Sequence, residues 1–132
     1  MTDPTDADPI DIVSARTFAA TLELLTKAIE GAGMTIFARI DHAAGARAAG
    51  LAMPPTTVLI YGHAKGGTPI MLAAPQAALD LPLRVLVREA EDGRVMASFH
   101  PVAPMLRRAG APLALATRLE PAQRLLVEAI QS

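Results

Sequence analysis

The sequence predicts an α+β fold, a two-layer sandwich in which helices pack on a mostly antiparallel sheet. Three observations predict it. Residues 15–33 carry apolar side chains at helical spacing, residues 83–99 alternate as two strands around Asp92-Gly93, and short strands and helices alternate between these segments. The predicted order is β–α–β–α–β–α–β–β–α, with one long helix, several short helices and a C-terminal helical extension.

The first elements follow an acidic, proline-rich start. Residues 1–9 lack apolar periodicity and predict a disordered tail, and "IDIVS" at 10–14 predicts a first strand. Ser14 is the expected cap of the long helix, which Gly31 or Gly33 ends in a left-handed conformation. Four apolar residues share one face of that helix: Phe18, Leu22, Leu25 and Ile29.

The middle of the chain predicts two strands, each followed by a helix. "MTIFARI" at 34–40 is a strand, and Asp41 is placed to cap a short helix that Gly50 ends. "TTVLIYG" at 56–62 reads as a buried strand. In "TPIMLAAPQAALD", Thr68-Pro69 reads as the cap and first residue of the next helix.

The last third predicts a hairpin followed by helices. Leu83, Val85 and Val87 alternate with Arg84, Leu86 and Arg88, and the return strand ends before His100-Pro101. The predicted division is a tail at 1–9, an α+β domain at 10–100 and a helical extension at 101–132.

Composition excludes several classes of function. The formal charge is −1, from 12 basic and 13 acidic residues, so no basic excess predicts nucleic-acid or anionic-membrane binding. Aromatic residues are 3%, too few to indicate base stacking. The absence of cysteine excludes disulfides and thiol chemistry. Without a secretory start or a long apolar run, we expect a soluble cytoplasmic protein.

The stretch "YGHAKGGTPIM" at 61–71 is the best candidate site. It lacks the Walker pattern, because Thr68 rather than lysine follows the second glycine. A helix start with mobile Lys65 beside it would nevertheless suit a small polar or anionic ligand. The alternative is that Gly66-Gly67 only form a turn. The predicted ligand-binding residues are His42, Tyr61, His63, Lys65, Gly66, Gly67 and Thr68.

The three histidines raise the possibility of an enzyme. His42 or His63 could act as a general acid or base, since histidine titrates near neutral pH. His42, His63 and His100 lack the spacing of a helical metal site, so we predict no metal site and name no cofactor or catalytic residue. The deciding observation is whether His42 and His63 converge in one cavity.

The sequence resembles the domain-of-unknown-function 302 family from about Phe18 to about Phe99. The resemblance rests on "GAGMTIF", "IDHAAGARAAGL", "TTVLIYGHAKGGTPIML" and "ALDLPLRVLVREAEDGRV". The family usually has Asn-Pro after the glycine that ends the third strand, where this chain has His63-Ala64. The resemblance implies a compact α+β fold, often dimeric, with no agreed activity, and it leaves residues 100–132 outside.

A homodimer is the expected partner arrangement. The strands near 34–40, 57–61 and 83–88 carry apolar residues on both faces, and a two-layer fold covers only one face. The C-terminal helix or a second copy of the chain is expected to cover the other. A dimeric interaction module is therefore the third functional hypothesis, beside the ligand-binding domain and the histidine-dependent enzyme.

Overall fold

The computed structural model describes residues 7–132 and confirms the α+β fold. Its five-stranded sheet has the order β1-β5-β4-β3-β2, and every neighbouring pair is antiparallel. The strands are β1 Ile10–Ser14, β2 Thr35–Asp41, β3 Thr56–Gly62, β4 Leu83–Glu89 and β5 Val95–Phe99. The helices are α1 Phe18–Gly31, α2 His42–Ala48, α3 Ala64–Ala73, α4 Val102–Arg108, α5 Leu113–Ala116 and α6 Glu120–Gln131. Short 3-10 segments lie at Pro75–Leu79 and Thr117–Leu119.

One face of the sheet forms the core together with α1 and α6. The predicted helix face supplies Leu22, Leu25 and Ile29, which are almost fully buried against alternate residues of the central strands. Residues 101–132, predicted as an extension, are mostly helical and place Leu106 and Leu126 in this same core. Helix α6 therefore packs beside α1 rather than on the opposite face of the sheet.

The ends of the elements follow local chemistry, with one correction. Helix α1 is capped by Thr17, whose hydroxyl accepts from the Ala20 amide at 3.1 Å, and not by Ser14. The Ser14 hydroxyl instead bonds to the buried Thr21 hydroxyl at 2.7 Å, which ties β1 to α1. Gly33 ends the helix at φ +81°, as the sequence predicts.

The second face of the sheet carries apolar side chains that face outward. Val13 is 55% exposed, Phe37 54% and Ile40 40%, and they lie on the two edge strands. Between them, Val58, Ile60 and Leu86 are partly exposed. The prediction that apolar residues occupy both faces of these strands is confirmed, and α6 covers only the core face.

Of the predicted tail, residues 1–6 lie outside the described part of the chain. Residues 7–9 have no regular secondary structure and are exposed. Strand β1 begins at Ile10, as predicted.

Candidate functional site

The candidate stretch at 61–71 folds differently from its prediction, because α3 begins five residues earlier. The cap is His63 rather than Thr68: its backbone is extended at φ −141°, and its Nδ1 accepts from the Lys65 amide at 3.0 Å. Its carbonyl oxygen also accepts from the amides of Gly66 at 3.0 Å and Gly67 at 3.1 Å. Residues 64–71 are therefore the first two turns of a helix, and Pro69 lies inside that helix.

This geometry explains the departure from the family's usual Asn-Pro. His63 occupies the cap and Ala64 the first helical position, where asparagine and proline are the residues that helix starts favour. An imidazole that accepts through Nδ1 replaces the asparagine oxygen, and it does so as the neutral ring with its proton on Nε2. The substitution changes how the helix is capped.

The same bonds reduce what the helix start offers to an anion. A helix N-terminus attracts anions through amide groups that have no partner inside the helix. Here the amides of Lys65, Gly66 and Gly67 all donate to His63. The Lys65 side chain is exposed and does not line the neighbouring cavity. The Lys65 side chain and these three amides predicted an anion site, but the side chain does not line the cavity and the amides are already bonded to His63.

A cavity of about 250 Å³ lies against the start of α3, and we call it the α3 cavity. The end of β3 and helix α3 form one wall, and the segment from Leu81 to Leu83 forms a second. The end of the second 3-10 segment, Thr117–Leu119, and the start of α6 form the third wall. Its lining residues are Met34, Phe37, Gly62, His63, Ala64, Gly66, Gly67, Thr68, Met71, Leu81, Pro82, Leu83, Leu119 and Ala122.

The chemistry of the α3 cavity is chiefly apolar. Methionine, leucine and phenylalanine side chains dominate the lining, and glycines 62, 66 and 67 bring backbone close to the space. His63 and Thr68 carry the polar side-chain atoms among the described residues that line it. None of these lining residues carries a carboxylate or a permanent positive charge. Such a cavity holds an apolar group and orients it by one or two hydrogen bonds.

Tyr61 has a structural place in the core. Its side chain is fully buried, and its hydroxyl donates to the Ala122 carbonyl of α6 at 2.9 Å. Burial raises the pKa of the Tyr61 phenol well above its usual range, since the charged form would lose its hydration. Tyr61 holds α6 against β3 behind the cavity wall and does not line the cavity.

His42 lies at the other end of the strands from His63. Thr35 pairs with Gly62 while Asp41 pairs with Thr57, so the two histidines follow opposite ends of the β2–β3 pair. Six residues of strand separate these ends by about 20 Å. His42 is the exposed first residue of α2, where Asp41 caps the helix by accepting from the Ala44 amide at 2.9 Å. The two histidines do not share a cavity.

The structure therefore gathers His63, Gly66, Gly67 and Thr68 at one cavity and leaves His42, Tyr61 and Lys65 outside it. The sequence interpretation missed the apolar walls supplied by Met34, Phe37, Met71, Leu81 and Leu119. Apolar residues at such positions give the same sequence signal as core residues, so the sequence did not identify them as cavity walls.

Two further properties concern the described residues as a whole. No set of three histidine, aspartate or glutamate side chains within residues 7–132 is arranged to hold a metal ion. None of the helices in this part of the chain is both long enough and apolar enough to cross a membrane.

Together, the antiparallel five-stranded sheet, the helices on one face and the cavity at the start of α3 define an α+β domain with one chiefly apolar cavity. The chain belongs to the family described as Domain of unknown function DUF302, whose model matches residues 10–132. The match confirms the resemblance seen in the sequence and extends it: residues 100–132 lie inside the family's domain.

Similarity to other proteins supports the fold. The crystal structure of a DUF302 protein from Bacillus stearothermophilus superimposes with a TM-score of 0.80, at 13% identity, over 93% of this chain and 95% of that one. Two curated proteins, both called fluoride-specific ion channel FluC 1, come from Brucella suis and Brucella abortus. Each is 38% identical over 90 residues, 68% of this chain. The matched region is 35% of the first and 33% of the second, so the chain spans about a third of these relatives.

Proposed function

We propose that this chain binds a small ligand in the α3 cavity, and that the ligand has an apolar body with one polar end. The observation that carries the proposal is the lining: a 250 Å³ space walled mainly by methionine, leucine and phenylalanine, with His63 and Thr68 on the side of α3. This volume suits a single ring or a short branched chain, near the lower end of ligand-pocket sizes.

The polar end of the ligand meets His63 and Thr68. His63 accepts through Nδ1 within the helix cap, so its Nε2–H is the ring group left to donate to a ligand. The Thr68 hydroxyl both donates and accepts. Of the polar or anionic ligand expected from the sequence, the lining supports the polar one, because Lys65 does not line the space and the amides of Lys65, Gly66 and Gly67 are bonded to His63.

Three probes of increasing charge test this function: phenol, benzoate and inorganic phosphate. Each is titrated while amide chemical shifts are followed by NMR. We expect phenol to bind saturably, with shifts concentrated at Gly66, Gly67, Thr68 and Leu81. Fluoride is a fourth probe, since the Brucella relatives carry that ion in their names.

Two variants separate the outcomes. Gly67→Ala adds a methyl group between Met71 and Leu81 and should weaken phenol binding several-fold, because that methyl enters the cavity. Lys65→Ala, on the same helix but outside the lining, should leave phenol binding unchanged. Binding of phosphate alone, abolished by Lys65→Ala, would contradict the apolar ligand and favour the anionic alternative of the sequence prediction. No saturable binding by any probe would reject ligand binding at this cavity.

A second function, self-association through the open sheet face, is supported by the outward-facing apolar residues. Five strands about 4.8 Å apart and roughly 20 Å long present about 480 Å² per copy, so that two facing copies would bury about 1,000 Å². That area reaches the lower limit for a specific interface. A second copy suits the face because the exposed Val13 and Ile40 lie at its two edges, where a symmetric partner brings equivalent residues together.

Light scattering tests the second function. We expect a mass twice that of the 13.8 kDa chain, and a monomer for Val13→Lys combined with Ile40→Lys. Leu72→Lys is the control, because Leu72 is 80% exposed on α3, away from the sheet. A monomer at all concentrations of the unaltered protein would refute the dimer.

A further inference from the structure

The strands β4 and β5 separate before either of them ends. Their ladder runs from Glu89–Val95 to Leu86–Ser98 and stops there. Strand β4 continues to Leu83 as the partner of β3, and β5 continues to Phe99, next to its partner β1. Had the ladder continued in register, Arg84 would face His100. Instead, the sheet opens at this point into a gap between two central strands.

A buried glutamine from α6 holds one side of the gap. The Gln123 side-chain amide donates to the His100 carbonyl at 2.8 Å, and its oxygen accepts from the Val102 amide at 2.9 Å. Gln123 is only 6% exposed, so both ends of a buried polar group are satisfied by the chain that leaves β5. These bonds fix the position of His100 at the mouth of the gap.

Two adjoining cavities open from this gap, and we call them together the β4–β5 cleft. One of about 300 Å³ is lined by Leu79, Asp80, Leu83, Arg84, His100, Met105 and Gln123. The other, of about 290 Å³, is lined by Ala7, Asp80, His100, Pro101, Pro104, Met105 and Arg108. Asp80, His100 and Met105 belong to both. Leu83 lines both the cleft and the α3 cavity.

The cleft differs from the α3 cavity in its chemistry. Two guanidinium groups, one imidazole and one carboxylate line it, and the walls between them are leucine, methionine and proline. Arginine forms forked, charge-assisted hydrogen bonds to oxyanions, and histidine adds a further donor. In the first cavity, the Arg84 guanidinium and the His100 ring are the groups suited to donate to an oxyanion.

We propose that the β4–β5 cleft binds a small oxyanion, of the phosphate or carboxylate class, between Arg84 and His100. Asp80 lies on the wall shared by both cavities and accepts a hydrogen bond, so it selects an oxyanion that carries its own donor over one that carries none. Dihydrogen phosphate has such a donor, whereas sulfate has none. This site is distinct from that of the proposed apolar ligand, because, among the described residues, Leu83 is the one lining residue that the cleft and the α3 cavity share.

The test is a titration with inorganic phosphate, sulfate and acetate at pH 6 and constant ionic strength, followed by amide chemical shifts. We expect saturable binding with shifts at residues 79–84 and 100–105. Phosphate should bind more tightly than sulfate, and saturable acetate binding would assign the carboxylate class to the same cleft. Arg84→Gln should weaken phosphate binding about tenfold or more, as the loss of a charge-assisted hydrogen bond does.

Arg88→Gln is the matched control, because Arg88 lies four residues away on the same strand and sheet face but outside the cleft. It should change phosphate affinity less than twofold. Equal losses in Arg84→Gln and Arg88→Gln would show general charge attraction and overturn the site, as would the absence of saturable binding by phosphate, sulfate and acetate alike.

Two further variants keep the proposal testable if Arg84→Gln fails to fold. His100→Gln alters the donor from the opposite wall and should also weaken phosphate binding, so the conclusion does not depend on Arg84 alone. Asp80→Asn removes the negative charge and should tighten sulfate several-fold. Weaker sulfate binding in Asp80→Asn would contradict the role of Asp80, and each variant's unfolding midpoint is measured alongside.

Discussion

The substitution Gly67→Ala is expected to stabilise the domain and to narrow the α3 cavity. Gly67 lies in the first turns of α3, in a helical conformation that alanine shares. A Cβ built there meets the Met71 Cε at 3.7 Å and the Leu81 Cδ1 at 3.8 Å, both ordinary van der Waals distances. The substitution therefore limits the freedom of the unfolded chain without strain in the folded one.

The expected gain is about 0.5–1 kcal/mol in the free energy of unfolding, the usual difference between glycine and alanine inside a helix. For a chain of 132 residues, an unfolding entropy of about 2.1 cal/mol/K per residue converts 1 kcal/mol into a rise of about 3–4 °C in Tm. Gly45→Ala in α2 should give a similar rise, since a Cβ there meets no atom within 4 Å.

Gly66→Ala supplies the contrast. Its Cβ would lie 3.1 Å from the Leu119 Cδ2, closer than most real contacts, so the leucine must move and most of the gain is lost. Thermal unfolding followed by circular dichroism measures all three variants. A fall in Tm for Gly67→Ala would refute the packing described for the cavity wall. Equal rises in all three would show that Leu119 does not pack against α3.

Four other predictions concern three residues whose roles the structure defines. Tyr61→Phe removes the hydroxyl bonded to Ala122 and should cost about 1–3 kcal/mol, measured by urea unfolding. Because burial raises the pKa of Tyr61, the contribution of the neutral phenol to folding stability is complete below the usual pKa near 10 and is lost at higher pH. The chain has one tyrosine, so tyrosinate absorbance should appear only as the domain unfolds. Tyrosinate absorbance from a folded domain near pH 10 would disprove the burial. His63→Ala removes the cap of α3 and should cost about 1 kcal/mol, whereas His63→Asn should retain stability; equal losses would contradict the capping role. Leu25→Ala in the core should cost about 2–5 kcal/mol in urea unfolding, and a cost below 1 kcal/mol would be inconsistent with its complete burial.

Elements that need only near neighbours were predictable from the sequence. Helix α1 shows its apolar stripe in the residue spacing, and the hairpin shows its turn at Asp92-Gly93, where Gly93 takes φ +85°. Gly33 and Gly50 were predictable helix ends for the same reason, because a left-handed residue is a local requirement. The family resemblance also depended on such local stretches.

The start of α3 shows where local patterns fail. Thr68-Pro69 is a standard helix start in sequence terms, yet β3 ends at Gly62, and the helix begins at the next position where a side chain can accept from its amides. His63 does this with a ring nitrogen, which capping preferences rank below the asparagine of the family. Whether a strand ends at one residue or another depends on its partners across the sheet, and these are distant in the chain.

Only the tertiary structure decided which candidate residues share a site. His63, Gly66, Gly67 and Thr68 are neighbours in sequence and so meet one cavity together. Strand alternation turned Tyr61 into the core, and the antiparallel β2–β3 pair carried His42 to the opposite end of the sheet. The cavity walls and the β4–β5 cleft bring together segments such as Met34 and Leu119, or Arg84 and His100, whose meeting depends on how strands pair and helices pack. A linear pattern records the faces of each element, but it does not record which face of another element each one meets.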